Sequence, residues 1–409
     1  MNTSERNNIP SLVAKKVGII GAGPAGSLIA WLLASYGYDV HVFDKSDGDF
    51  GSKVCGEYLC PKGVELLQEL GLSKLLTPYQ KLEGMILYSP NQTEVCTTFP
   101  QQKIGLSLQR KIFDRNLISL AQQKGVRFHF QTPLYWVRDT PQGPTIGNDH
   151  LTETFDFLIG ADGRQSLVAR YLNTKGKYAP PEKRIAIHAY LAPQNQGVFV
   201  IQPKGEMHIF KDGSYCGLNP QTPNQVNFSL VCSSAKLQRF ENTLDLVRFY
   251  VDQSPRLQAL FAHSLSDPSL TFKVLSGLRH DVKNVANPQG TIFLVGDAAG
   301  FVDPLTGEGI FHALATAKKL SESLIRDIDL AGVAKTYTTF IHQDFTQKSR
   351  LNKFFQKVIQ RAWLSNFIAW WLNRNTFTRD TFIGLIGNIY TPTEALKKWL
   401  LTNPKGRLS

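Results

Sequence analysis

Gly21-Ala22-Gly23-Pro24-Ala25-Gly26 restricts the fold of this 409-residue chain more than any other segment. It follows a short β-branched run, Lys16 to Ile20, and opens a stretch, Pro24 to Tyr36, that carries Leu28, Leu32 and Leu33 at helical spacing. Asp39 to Phe43 then reads as a second strand. A strand, a glycine-rich turn, a helix and a further strand within about 30 residues make the opening unit of a parallel dinucleotide-binding sheet. In this motif Gly21 permits the tight turn, Gly23 lets a pyrophosphate approach the backbone, and Gly26 lets helix and strand pack closely. The helix N-terminus, entered through Pro24 and Ala25, then faces the anion. Asp44 stands 18 residues after Gly26, next to Lys45, at the end of the second strand. That is the place for an acid that accepts hydrogen bonds from a ribose, although a solvated acid at a strand end has the same pattern.

Further along, a helix opens at Pro61, strand-like stretches cover Gly84 to Tyr88 and Glu94 to Phe99, and a long helix runs from about Arg110 to Lys124. Strands follow near Val126 to Phe130 and Phe155 to Ile159. Between Arg184 and Thr271 the pattern changes to alternation, in Ile185 to Leu191, Val198 to Gln202, Met207 to Phe210 and Val226 to Val231, as in an antiparallel sheet. Thr291 to Val295 returns to a buried parallel strand, and a helix spans about Gly309 to Ile328. The expected architecture is α/β: a Rossmann-like nucleotide domain built from 1–80, 105–180 and 272–330, an inserted antiparallel-sheet substrate domain from 81–104 and 181–271, and a helical tail from 331–409.

The net charge of +12 would suggest a polyanionic partner if it were evenly spread, but it is not. Ten Lys or Arg against two acids lie between Arg350 and Ser409, so eight of the twelve net charges fall in the tail. This placement argues against a nucleic-acid groove across the body of the protein. Five cysteines, an odd number without a Cys-x-x-Cys pair, speak against a disulfide framework or a metal site. The polar N-terminus, with no run of about 18 to 20 apolar residues anywhere, implies a cytoplasmic chain that meets membrane, if at all, from its inner face.

Two later motifs identify a family. Gly160-Ala161-Asp162-Gly163, continuing to Arg170, resembles the Asp-Gly motif of the FAD-dependent hydroxylase superfamily, and Gly296-Asp297-Ala298-Ala299-Gly300 resembles its Gly-Asp motif. The p-hydroxybenzoate-hydroxylase-like enzymes and the geranylgeranyl reductases share this plan. The longer stretch through Gly307, Glu308, Gly309 and Ile310, together with Lys53 to Leu59, is most similar to the geranylgeranyl reductases. The resemblance implies FAD as cofactor, with Asp297 on the ribityl chain and the following helix aimed at the flavin pyrimidine ring, where it stabilises negative charge near N1. It also implies a structural role for Asp162 near the nucleotide. Arg110-Lys111-Ile112-Phe113-Asp114 is similar to the family's segment in which the arginine contacts FAD, and a guanidinium suits pyrophosphate oxygens. The alternative for Arg110 is an exposed salt bridge at a helix start. No second G-x-G-x-x-G is present, and the resemblance implies NAD(P)H as a donor that docks transiently.

Cys55 and Glu57, the two candidate catalytic residues, lie in the loop that, by resemblance, crosses the isoalloxazine ring. Cys55 reads either as a proton donor to a reduced alkene or as a small buried apolar residue. Two reactions therefore stay open on a hydrophobic small molecule or lipid: reduction of an isoprenoid double bond, which the subfamily motifs favour, and hydroxylation of an aromatic or phenolic lipid. A non-catalytic flavin module is a third reading, against which the intact Gly296 to Ile310 motif argues. In the tail, Lys353 to Arg374 read as one helix puts Phe355, Ile359, Trp363, Phe367 and Trp370 on one side. That pattern implies either a helix lying in an anionic membrane surface or a helix packed on the protein itself.

Overall fold

The computed structural model describes residues 15–49, 53–173, 184–194, 202–276, 281–282, 284–301, 305, 307–327 and 329–402. Five parallel strands form its first sheet, in the order Ile292–Leu294, Phe157–Gly160, Lys16–Ile20, Asp39–Phe43 and Arg127–His129. All but the Arg127–His129 edge strand are buried along nearly their whole length, as in a sheet covered on both faces. The Pro24–Ser35 helix packs between the Arg110–Gln122 and Gly309–Arg326 helices. Its entire inner surface, Leu28, Ile29, Leu32 and Leu33, is buried.

The second sheet has seven strands, ordered Lys273–Leu275, Arg184–Leu191, Gln225–Ser233, Tyr215–Thr222, Lys204–Ile209, Gly84–Tyr88 and Glu94–Cys96. All neighbours are antiparallel except Lys204–Ile209 and Gly84–Tyr88, which run parallel. Alternation sends one set of side chains, including Ile187, Leu218, Phe228 and Leu230, into a core with the helices Thr243–Val251 and Pro255–Phe261. The opposite face, with Ala186, Tyr215 and Val231, turns toward the first sheet.

Several local readings change. The region from Arg184 to Thr271 is not sheet throughout: it contains the two helices just named, whose apolar residues recur at helical rather than strand spacing, and the Tyr215–Thr222 strand, whose Gly217 and Pro220 obscure the alternation. The Trp136–Thr140, Gly143–Gly147 and Thr152–Thr154 meander also escapes sequence reasoning. Of Val198 to Gln202, only Gln202 is among the described residues, and it is not in a strand.

The tail is helical, but Lys353 to Arg374 is not one helix. A helix Leu330–Ile359 ends at Gln360, and a new one, Ala362–Arg374, starts after Arg361 takes up an extended conformation. The Val358 carbonyl accepts from both the Arg361 amide and the Ser365 hydroxyl (3.0 Å each), which ties the new helix to the end of the old one. The break divides the aromatic stripe. Ile359 is buried and Phe355 half-buried in the core facing the first sheet, whereas Trp363, Phe367 and Trp370 are exposed. Helices Thr376–Ile386 and Pro392–Thr402 complete the tail. Among the described residues no helix is long and apolar enough to cross a membrane.

Candidate functional site

Between the two sheets lies a cleft of about 1270 Å³. Single-ligand sites generally occupy about 300–1,000 Å³, so this one has room for a dinucleotide and a second molecule. Its first wall is the glycine-rich turn. Gly21 has φ +103°, and a Cβ there would lie 2.4 Å from the Ala161 carbonyl oxygen. A Cβ on Gly26 would lie 1.9 Å from the Gly21 carbonyl oxygen, so this turn closes only with glycine at both positions. Gly23 differs: a Cβ there would meet nothing nearer than Lys53 Nζ at 3.6 Å. The backbone at Gly23 is therefore open to the cleft, and the one neighbour above it is a cation. Gly23 also supplies no side-chain cap to the helix that begins at Pro24, leaving the first amide groups of that helix to a ligand.

Asp44 closes the other side of the turn. One carboxylate oxygen accepts from the Ala22 amide (2.7 Å) and the other from the amide and hydroxyl of Ser46 (2.8 and 2.6 Å). Although the carboxyl is desolvated, these donors hold it below the usual carboxylate range. Lys45 is exposed at the cleft's rim. Asp162 accepts from the Leu167 amide (2.6 Å) and reaches the same cleft.

A second uncapped helix N-terminus meets the cleft at Gly309. Gly296 (φ +59°) turns the chain after the Ile292–Leu294 strand, and a Cβ there would lie 3.0 Å from Ala25 Cβ, which keeps the two motifs against each other. Asp297 follows on the cleft wall, near Arg164, whose guanidinium lies over the Phe301 ring at 5.3 Å. Gly307 (φ +68°) and buried Glu308 lead into the helix, and Ile310 is buried at its first turn. Val302, Asp303, Pro304 and Thr306 of this motif lie outside the described residues. Two helix ends without a side-chain cap, a lysine and an open glycine backbone fit a dinucleotide diphosphate and an anionic ring system, the demands that FAD makes.

The loop from Lys53 to Leu59 bridges the sheets. Glu57 is buried with φ +55°, a backbone state that a side chain adopts only when its surroundings enforce it. Its Oε1 accepts from the Arg110 amide (2.8 Å). Its Oε2 accepts from Tyr190 Oη (3.0 Å), Gln221 Nε2 (3.0 Å) and Asn227 Nδ2 (2.8 Å). Asn227 and Asn219 also donate to the Cys55 and Gly56 carbonyls. Glu57 thus fastens the loop to three strands of the second sheet and to the start of the Arg110–Gln122 helix, where the sequence suggested catalysis. Burial pushes its carboxyl up, against the pull of these donors.

Arg110 is not an exposed cap. Its Nε and Nη2 bind Asp114 (2.8 and 2.7 Å) in a buried pair, and it also lines the cleft beside Cys55. Desolvation raises the Cys55 thiol above its ordinary value, with Arg110 acting in the opposite direction. The neighbouring residues of the loop face different ways: Cys55 packs toward the nucleotide-side core, and Val54 packs into the apolar face of the second sheet with Leu87, Met207, Tyr215, Leu275 and Leu305. Sequence reasoning assigned no task to Lys53, Arg164, Tyr190, Asn219, Gln221 or Asn227. The available signal was amides at inward positions of otherwise apolar strands, since a buried amide needs a partner.

Comparison with known proteins agrees with this geometry. The family described as "FAD binding domain" matches residues 14–339. A digeranylgeranylglycerophospholipid reductase of Methanothermobacter thermautotrophicus is 29% identical over 313 residues, covering 72% of this chain and 73% of the relative. A kynurenine 3-monooxygenase of Stenotrophomonas maltophilia is 26% identical over 358 residues, 78% of this chain and 74% of the relative. The fold matches that of the flavin-dependent brominase Bmp2 with a TM-score of 0.75 at 18% identity, over 95% of this chain and 97% of that one.

Proposed function

The chain belongs to the FAD binding domain family and is an FAD-dependent oxidoreductase, and from that premise we propose that it reduces a carbon–carbon double bond of an isoprenoid or similar lipid, with NAD(P)H as transient electron donor. The observation that carries this reading is a thiol, Cys55, that lines the cleft next to Val54, the residue that packs into the apolar compartment, and that burial raises in pKa. Bound FAD supplies the two-electron chemistry. The protein's residues do the rest. Gly23, the two uncapped helix ends and Lys53 hold the diphosphate and orient the ring, with Asp44 and Asp297 on the sugar portions. Val54, Leu87, Met207 and Leu305 line up the chain of the substrate and exclude water. Cys55 Sγ keeps its proton at neutral pH, delivers it to the alkene carbon, and leaves a thiolate that Arg110 stabilises. Glu57 and its amide partners hold that loop in register, which makes it a positioning residue. The similarity to digeranylgeranylglycerophospholipid reductases supports the substrate class.

A second reading is hydroxylation of an aromatic or phenolic lipid, and the comparable similarity to kynurenine 3-monooxygenases favours it. The two separate in one experiment. Purified holoenzyme is given NADPH and a geranylgeranyl lipid without oxygen, and the product mass is measured. A gain of two hydrogens supports reduction. Turnover only in air, with a product one oxygen heavier from an aromatic lipid, replaces it.

A further inference from the structure

On the Ala362–Arg374 helix the usual amphipathic order is reversed. Ser365, Ala369 and Leu372 face inward, where the helix packs on Val95 of the second sheet's edge strand. Asn366 Oδ1 accepts from the Asn91 amide (3.1 Å), and Asn373 Nδ2 donates to the Glu94 carbonyl (2.7 Å), so the helix cannot turn about its axis. The outward positions i, i+4 and i+7 are Trp363, Phe367 and Trp370, exposed by 69%, 54% and 47%. Three large aromatics held outward by a polar anchor form a stripe that the described residues leave uncovered. Phe367 and Trp370 stack at 5.8 Å, and the Arg374 guanidinium lies 4.1 Å over Trp370.

Along the sequence, the charge flanking this helix has one sign. From Arg350 to Arg379 there are six basic residues and no Asp or Glu. Lys353, Lys357, Arg361 and Arg374 are exposed, with Arg361 and Arg374 at the two ends of the aromatic helix. Aromatic rings with a cationic border match the interface of an anionic bilayer, where indole rings sit at headgroup level and each nearby cation adds attraction. The inner side of this surface is also the outer side of the cleft. Leu87 touches both the packing of this helix and the apolar compartment, and Phe355 and Ile359 of the preceding helix belong to that compartment's core.

We propose that Trp363, Phe367 and Trp370, bordered by Lys353, Lys357, Arg361 and Arg374, form a docking surface for an anionic lipid bilayer that brings the apolar compartment to the membrane. The proposal is independent of which reaction the flavin performs. Its test is co-sedimentation of the full-length holoprotein with vesicles of equal parts phosphatidylglycerol and phosphatidylcholine. Binding is expected to fall about fivefold for each basic residue changed to Gln, and about a hundredfold for Trp363→Ala/Phe367→Ala/Trp370→Ala. All three rings are exposed, so flavin content and melting temperature serve as the check on folding. Indole emission of the wild type is expected to shift to the blue with these vesicles and not with pure phosphatidylcholine. Wild-type binding that is absent, or unchanged in the triple variant, overturns the proposal. So does a dimer without vesicles that the triple variant converts to monomer, because a second copy would then be the occupant.

Discussion

Glu57→Gln tests whether one carboxylate holds the two sheets in register around the cleft. The substitution keeps size and shape but places an NH2 where Oε2 now accepts three hydrogen bonds. Gln221 Nε2 retains Ser107 Oγ and the Leu108 carbonyl, and Asn227 Nδ2 retains the Cys55 carbonyl. Tyr190 is exposed and can turn its hydroxyl to water, so the group left unmet is the new amide. One buried unsatisfied donor group gives a loss of about 1–3 kcal/mol. Against a total of about 5–15 kcal/mol for a folded protein, this is large. Urea unfolding of the holoprotein, followed by flavin and tryptophan emission, should show the variant unfolding at clearly lower denaturant, with flavin released early. An unfolding free energy within about 0.5 kcal/mol of wild type, the range of ordinary surface substitutions, would refute the reasoning.

Gly26→Ala should yield protein without flavin, because its Cβ would lie 1.9 Å from a backbone oxygen that cannot swing away; the absorbance of the purified protein near the flavin bands checks this. His188 is buried and its pKa is depressed by burial to about 4 from 6.5. Its stabilising effect is therefore complete above pH 6.5 and lost as pH falls toward 4, which amounts to about 2 kcal/mol between pH 7 and pH 5. Burial lowers His312 to about 4 as well and also depresses His41 and His208, so His188→Gln should remove a part, about 2 kcal/mol, of the acid sensitivity seen by urea titration at the two pH values. Cys55→Ala should lower kcat for alkene reduction about 10²–10⁴-fold while reduction of the bound flavin by NADPH keeps its rate. Because the Cys55 thiol is raised above 9.0, wild-type turnover should persist to higher pH than an ordinary thiol would allow; a decline at pH 8 would sink the proton-donor role.

The parts of the site that could be read from sequence are those whose chemistry is backbone chemistry. Gly21, Gly26 and Gly296 occupy positions where a Cβ would strike backbone or a packed methyl group. Such demands are local, or nearly so, and leave a spacing in the sequence. Asp44, Asp162 and Asp297 follow at the ends of strands whose apolar runs are equally legible. Glu57 shows the limit. The sequence puts it in the right loop, but its hydrogen-bond partners come from residues 53 to 170 positions away. Nothing local distinguishes an acid so engaged from one that titrates freely. The tail shows the same limit. The composition of 350–379 is legible as basic and aromatic, whereas the break at Gln360 and Arg361 occurs without Gly or Pro, at a place where Ser365 and the sheet edge take over the packing.

By itself, then, the sequence determined a dinucleotide-binding α/β core, because glycine spacing and strand-end acids encode backbone geometry at short range, and its resemblance to the FAD-dependent hydroxylase superfamily implied the flavin. Only the tertiary structure decided that Glu57 anchors the loop, that Arg110 is paired in the interior, and that Trp363, Phe367 and Trp370 face outward. Those outcomes depend on which distant residues meet, and burial and hydrogen-bond partners exist only once the two sheets have come together.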